Sequence, residues 1–296
     1  MATQALPDSA GAFNDDVRAL PGLPVEILYE IFVMALHKHP KGSTNLLLVS
    51  RNVLEWLIPL IYKVIVLESG IAYPPPEVLK LHGHHVKNIW FSGYPPSFAN
   101  DGTTLKVCPN VTNFALWYDP DDSTTHQILS VLPEVFDLPL KRLSIYTLSD
   151  ELERQIQDVE NQKSKSWCSN ITHVAWGAVT PSACALFPSF PNLSHFLFGD
   201  WCSMETQAIV DEVLNNCPTL EVVIVLLGTA QSESEFFVLA SLGDVVFEDV
   251  RVVVANGYFT ASWTSGARGE DDLWVIAERT VKDRRKQNGG IVVPYH

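Results

Sequence analysis

"FPNLSHFLF", residues 190–198, has close relatives at 108–116 ("CPNVTNFAL"), 168–176 ("CSNITHVAW") and 217–225 ("CPTLEVVIV"). Each opens on a cysteine or phenylalanine, turns, and then places apolar residues in the pattern Φ-x-x-Φ-x-Φ, where Φ is apolar. The last two Φ, with one residue between them, are the period of a short strand with one buried face. Eight such triplets are read in order: Ile61/Val64/Val66, Val86/Ile89/Phe91, Val111/Phe114/Leu116, Leu140/Leu143/Ile145, Ile171/Val174/Trp176, Leu193/Phe196/Phe198, Leu220/Val223/Val225 and Val250/Val253/Ala255. Their starts are 25, 25, 29, 31, 22, 27 and 30 residues apart. Self-similarity at such a period predicts stacked units, each a strand and a return segment that cannot bury its apolar face alone.

The spacing falls mostly within the roughly 20–29 residues of leucine-rich repeats. The expected fold class is therefore α/β, a degenerate leucine-rich-repeat-like solenoid over residues 64–270. In this register Phe196 and Val223 point inward, and Ser194 and Glu221 point out. Cys108, Phe190 and Cys217 plug the turn that leads each unit. The three N-x-[ST] sequons, at Asn110, Asn170 and Asn192, are then one repeated local structure: asparagine in the turn, hydroxyl on an outward position. Helical returns are expected at "THQILSVLPEVF", "ELERQIQDVENQ" and "METQAIVDEVLNN". A final segment, 271–296, carries Leu273, Ile276, Ala277, Thr280 and Val281 on one helical face. Asp271 and Asp272 open it, and Lys282, Arg284, Arg285 and Lys286 close it, which complements a helix dipole. It reads as a cap over the last unit; its basic cluster is also a candidate nuclear import signal.

Ahead of the repeats, residues 1–19 read as a flexible segment and 20–63 as a helical module. Leu23, Ile27, Leu28, Ile31, Phe32, Ala35 and Leu36 recur at three- and four-residue spacing, one apolar helical stripe. Pro24 suits the first turn. "HKHPKGS" breaks the helix. Ser43, Thr44 or Asn45 caps a short second helix running to Val49. A third spans Asn52 to Ile58 and stops at Pro59. So small a unit carries more apolar surface than it can hide.

Here the chain resembles a family. "LPVEILYEIF" (Leu23, Pro24, Glu26, Ile27, Leu28, Ile31, Phe32) followed by "LVSR…W…IPLIY" (Leu48, Val49, Ser50, Arg51, Trp56, Pro59, Leu60, Tyr62) looks like an F-box, similar to those in F-box proteins of mushroom-forming fungi. The link "HKHPKGSTN" is longer and more polar than the usual join. The resemblance covers about a sixth of the chain. It implies a three-helix module that docks on a Skp-type adaptor and, through it, a cullin scaffold, as substrate receptor of a ubiquitin ligase. The implied adaptor contacts are Leu23, Pro24, Ile27, Leu28, Ile31, Val49 and Trp56. Phe32, Ala35 and Leu48 are expected in the core. The competing reading is an interaction scaffold whose F-box-like module packs on its own repeats.

Composition narrows the partners. A net charge of −14 argues against nucleic acid or anionic membrane. The first twenty residues lack a signal-peptide pattern, so an intracellular protein of cytoplasm and/or nucleus is expected. Five cysteines, none in C-x-x-C, read as buried apolar residues. Between Lys165 and Arg251 ten acids occur with no lysine or arginine. Glu221, Glu233 and Glu235 in that window are candidate contacts for a basic protein target. No nucleotide-loop, zincin or serine-hydrolase motif is present. "HGHH" (His82, His84, His85) does not set ligands for one metal, and "DPDD" (Asp119, Asp121, Asp122) reads as a solvated turn. The expectation is a non-enzyme without cofactor or metal.

Overall fold

The structure is a computed structural model. It describes residues 23–39, 43–68, 74–92, 103–117, 132–147, 154, 156–158, 167–178, 182–199, 206–227, 247–256 and 258–287. The chain divides into two compact units, 1–61 and 62–296.

The first unit has three described helices: α1 (Val25–Lys38), α2 (Ser43–Leu46) and α3 (Arg51–Ile61). Pro24 stands at the N-cap of α1, and its carbonyl accepts from the amides of Ile27 and Leu28. Glu26 in the first turn and Lys38 in the last suit the dipole. The second helix is shorter than expected: beyond Leu46 the chain makes i→i+3 turns to Val49. Ser50 then caps α3, its hydroxyl accepting from the Val53 amide. Helix α3 does not stop at Pro59 but carries it inside to Ile61. In a final turn proline forfeits one backbone bond, a cost the packing of Leu57, Leu60 and Ile61 offsets. The core is Leu36, Val53 and Leu57, flanked by Phe32, Val33, Leu46, Leu47 and Trp56.

The second unit is α/β, built on one open, all-parallel sheet of eight strands in sequence order. They are β1 (Val64–Glu68), β2 (Asn88–Ser92), β3 (Asn113–Trp117), β4 (Arg142–Thr147), β5 (His173–Ala178), β6 (His195–Gly199), β7 (Val222–Leu227) and β8 (Val252–Asn256). The pairing aligns Ile89, Phe114, Leu143, Val174, Phe196 and Val223, as the repeat reading expects. The two outermost triplets slip by one residue. Ile65, not Val64, pairs with Ile89, and Val252, not Val253, pairs with Val223. The cause is visible in "VIVLE" and "VVVAN", which are apolar at consecutive positions. Alternation cannot choose a face there, and a one-residue slip moves every side chain across the sheet.

Among the described residues, the return segments hold helices and 3-10 turns. Helices α4 (Pro76–His82), α5 (Thr103–Lys106), α6 (Leu132–Val135) and α7 (Thr206–Asn216) alternate with 3-10 turns at Gly83–His85, Trp167–Asn170 and Ser182–Ser189. With the inward strand residues they enclose the main core, including Ile89, Phe114, Val174, Trp176, Phe196 and Val223. Cys108, Phe190 and Cys217 are buried, and the carbonyl of each accepts from the amide three residues on. Asn110 and Asn192 stitch units together: their side-chain amides donate to the carbonyls of His84 and Ser169 in the preceding unit.

The other face of the sheet is not solvated. Trp90, Ala115, Ala175, Leu197, Ile224 and Val253 form a second core beneath two C-terminal helices, α8 (Phe259–Arg268) and α9 (Leu273–Lys286). Parallel strands covered on both sides read as continuous apolar runs, as "VVIVLL" does. Helix α8 lies outside the sequence expectation. It ends on Gly269 at φ 94°, with Gly269 and Glu270 amides donating back to Gly266 and Ser265. Helix α9 begins at Asp272, whose carboxylate accepts from the Val275 amide. Its buried face is Trp274, Ala277 and Val281; Ile276, expected on that face, is exposed. No described helix is long and apolar enough to cross a membrane.

Candidate functional site

Helix α1 is two-sided. Phe32 and Leu36 pack toward Val53 and Leu57, with Tyr29 edge-on to Trp56 at 6.0 Å. Leu23, Ile27, Ile31 and Met34, spaced four, four and three residues apart, form a second stripe and are 42–53 % exposed. Val25 is exposed as well. Of the expected adaptor contacts, Leu23, Pro24, Ile27, Ile31 and Val49 are exposed, whereas Leu28 and Trp56 are half-buried and Trp56 lines the module's core. Leu48, expected in the core, is 84 % exposed, because the turn after α2 swings it outward. Val25 and Met34 are missed by the sequence reading, although Met34 continues the Leu23–Ile31 spacing.

On the second unit the first residue of each strand forms a row. Asn88, Asn113, Arg142, His173 and His195 are successive partners across β2 to β6. The row meets the C-terminal helices. Asn88 Nδ2 donates to the Ala267 carbonyl, and Trp263 donates its indole N–H to Asn113 Oδ1 at 3.0 Å. Arg142 donates to Asp272 Oδ2 at 2.9 Å. His173 and His195 stack at 4.1 Å with a 6° interplanar angle, and Trp274 stands edge-on to both. The cavity among Asn113, Arg142, Asp272 and Trp274 is about 10 Å³, room for no more than roughly one water. The row is therefore an anchor for α8 and α9 rather than a pocket for an organic ligand.

The histidine pair is electrostatically unusual. Burial, then His195 and Arg142, push the His173 imidazole down to about 2. Burial also lowers His195, outweighing the carboxylates of Glu278 and Glu221 that favour its charged form. His195 Nε2 lies 3.0 Å from Glu278 Oε1, an ion pair when the ring is protonated but without a well-aligned hydrogen bond, and His173 Nε2 has no hydrogen-bond partner. His173, His195 and Glu278 thus converge, with their candidate ligand atoms within 4.8 Å of one another. Sequence reading passed over all three. Their signal was positional, since "THV" and "SHF" put histidine at the same place in two units. His82, His84 and His85, which the sequence does draw attention to, instead lie against one another, with His82 stacked on Tyr62.

Of the acidic candidates, Glu221 is exposed; Glu233 and Glu235 lie outside the described residues, as do Asp119, Asp121 and Asp122. Glu221 borders a groove of about 570 Å³ shared with Glu278, Lys282, Arg285 and Lys286 of α9. Arg285 also helps hold the Asp249 carboxyl below its ordinary range, after the larger effect of Arg251. Part of the acidic window thus faces a basic surface of the same chain.

No protein-family model matches the chain, and no curated protein is matched by its sequence.

Proposed function

We propose that this chain is a substrate receptor of a cullin–RING ubiquitin ligase, acting in the cytoplasm and/or nucleus. In this reading the first unit is an F-box that binds a Skp-type adaptor. The second is a leucine-rich-repeat-like solenoid that selects a protein target, and the chain itself does no catalysis. One observation carries the reading. Leu23, Ile27 and Ile31 leave one side of α1 open while Phe32 and Leu36 close the other. A helix that served only its own module would not keep a second apolar stripe exposed. Such a stripe fits an interface in which a few anchors supply most of the binding.

Three features support the solenoid. Strand order follows sequence order, aligned strand positions recur every 22 to 31 residues, and the turns repeat side-chain ties between neighbouring units. Helices α8 and α9 cover the sheet face opposite the main core, which leaves acid-bearing positions such as Glu221 as the target-facing candidates. The test is co-purification: the full chain, expressed with a Skp-type adaptor, should retain it, and a wild-type chain that never retains the adaptor removes the proposal.

A further inference from the structure

One arrangement of hydrogens satisfies every hydroxyl beside the histidine pair. The Thr172 hydroxyl donates to the Lys141 carbonyl, and the Ser194 hydroxyl donates to the Thr172 carbonyl. Each hydroxyl has one proton, so it is spent. Each oxygen also lies 2.8 Å from the Nδ1 of the following histidine, and in that arrangement it accepts from that nitrogen. Nδ1 then carries the hydrogen on both rings, and both Nε2 atoms present lone pairs. Both are buried without a partner, and His195 as a whole is 6 % exposed. A carboxylate oxygen stands 3.0 Å from one of them. In that tautomer two lone-pair atoms face each other at this distance, a contact that either a proton or a metal ion relieves.

We propose that His173, His195 and Glu278 bind a divalent transition metal of the zinc type, which pins α9 to β5 and β6. Two imidazole nitrogens and one carboxylate oxygen are a zinc donor set, with a further position left for water. Orientation of the metal-binding nitrogens by a hydrogen bond at Nδ1 is the usual outer-shell device, supplied here by Thr172 and Ser194. Metal–ligand bonds of about 2.0–2.2 Å set tetrahedral donors about 3.3–3.6 Å apart, so the more distant donors must draw in while the 3.0 Å His195–Glu278 pair opens slightly. The stacked rings must open into a V to do so, and Glu278, with its side chain 51 % exposed, is free to follow. Its carboxylate lines the open groove beside Glu221, which gives the ion a route in. Sequence reading expects no metal; the site exists only because the sheet register and α9 bring distant positions together.

The test uses the full chain, treated with chelator and then titrated with zinc or cobalt(II). One equivalent should bind, raise the melting temperature by several degrees at metal well above its dissociation constant, and give cobalt d–d bands. Glu278→Ala changes a half-exposed helix position and should fold. It should weaken binding at least about tenfold, as should His195→Gln. Replacing His82, His84 and His85 together by glutamine should leave binding unchanged. Absence of a thermal shift in the wild type overturns the proposal. So does a shift that survives both Glu278→Ala and His195→Gln, or one lost in the His82/His84/His85 variant.

Discussion

Arg142 at the start of β4 and Asp272 at the start of α9, 130 positions apart in sequence, meet at 2.9 Å. Asp272 is 4 % exposed and does two things at once: it caps α9 through the Val275 amide and holds Arg142. The contact ties the middle of the sheet to the junction between the two helices that cover it. Gly266 of α8 lies so close that a Cβ there would collide with the Asp272 side chain.

Asp272→Ala should therefore destabilise the second unit by roughly 2–4 kcal/mol, about 1 from the lost cap and the rest from stranding a partly buried guanidinium. Gly266→Ala should also destabilise, by about 1–3 kcal/mol, although alanine is the better helix former. Denaturant unfolding checks both. A neutral Gly266→Ala would mean that α8 does not approach Asp272 this closely.

The two covered faces make a second prediction. Phe196→Ala should cost about 3–5 kcal/mol, and Trp90→Ala, on the opposite face, should cost as much. Ser194→Ala should cost about 0.5–1.5 kcal/mol, since its hydroxyl bridges the Thr172 carbonyl and His195. A Trp90 variant as stable as wild type would mean that the second face is open.

The strands were legible because Phe196, Val223 and their equivalents repeat with a turn ahead of them. The register of β1 and β8 was not, because both faces of those strands are apolar. The same fact held a clue. The positions between the inward ones include Trp90, Ala115, Ala175, Leu197 and Ile224, which no solvated face would choose. Helix α8 is rich in Ser, Thr and Gly, so propensity hides it; only Phe259, Trp263 and Ala267 at four-residue spacing betray it. In α9, Trp274 rather than Ile276 marks the buried face. The row Asn88, Asn113, Arg142, His173, His195 is one position per unit, and a search for apolar periodicity alone passes over it. In the first unit, the spacing of Leu23, Ile27 and Ile31 showed the stripe, but which side of α1 stays open depends on where α3 packs.

Burial pushes the Cys108 and Cys217 thiols up to about 11. Roughly a thousandth of each is thiolate at pH 8, and both are enclosed. Neither should be alkylated in the native protein under conditions that label both in denaturant, as read by peptide mapping. Rapid native labelling of either would contradict the turn-plugging role.

Glu221 shares its groove with Lys282, Arg285 and Lys286. Glu221→Lys should lower the melting temperature at low ionic strength, and the deficit should shrink as salt rises. A deficit indifferent to salt would point to lost packing instead of charge.

The central claim is that α1 serves two partners, its own core and an adaptor. The direct measurement is the affinity of a purified Skp-type adaptor for three forms of the full chain, with a thermal melt of each. Leu23→Asp with Ile27→Asp should melt like wild type and lose at least about a hundredfold in affinity, because two carboxylates would have to be desolvated at the interface. Phe32→Asp should lower the melt of the first unit itself. Wild-type chain with no measurable adaptor affinity, or a double variant that unfolds as Phe32→Asp does, would contradict the account.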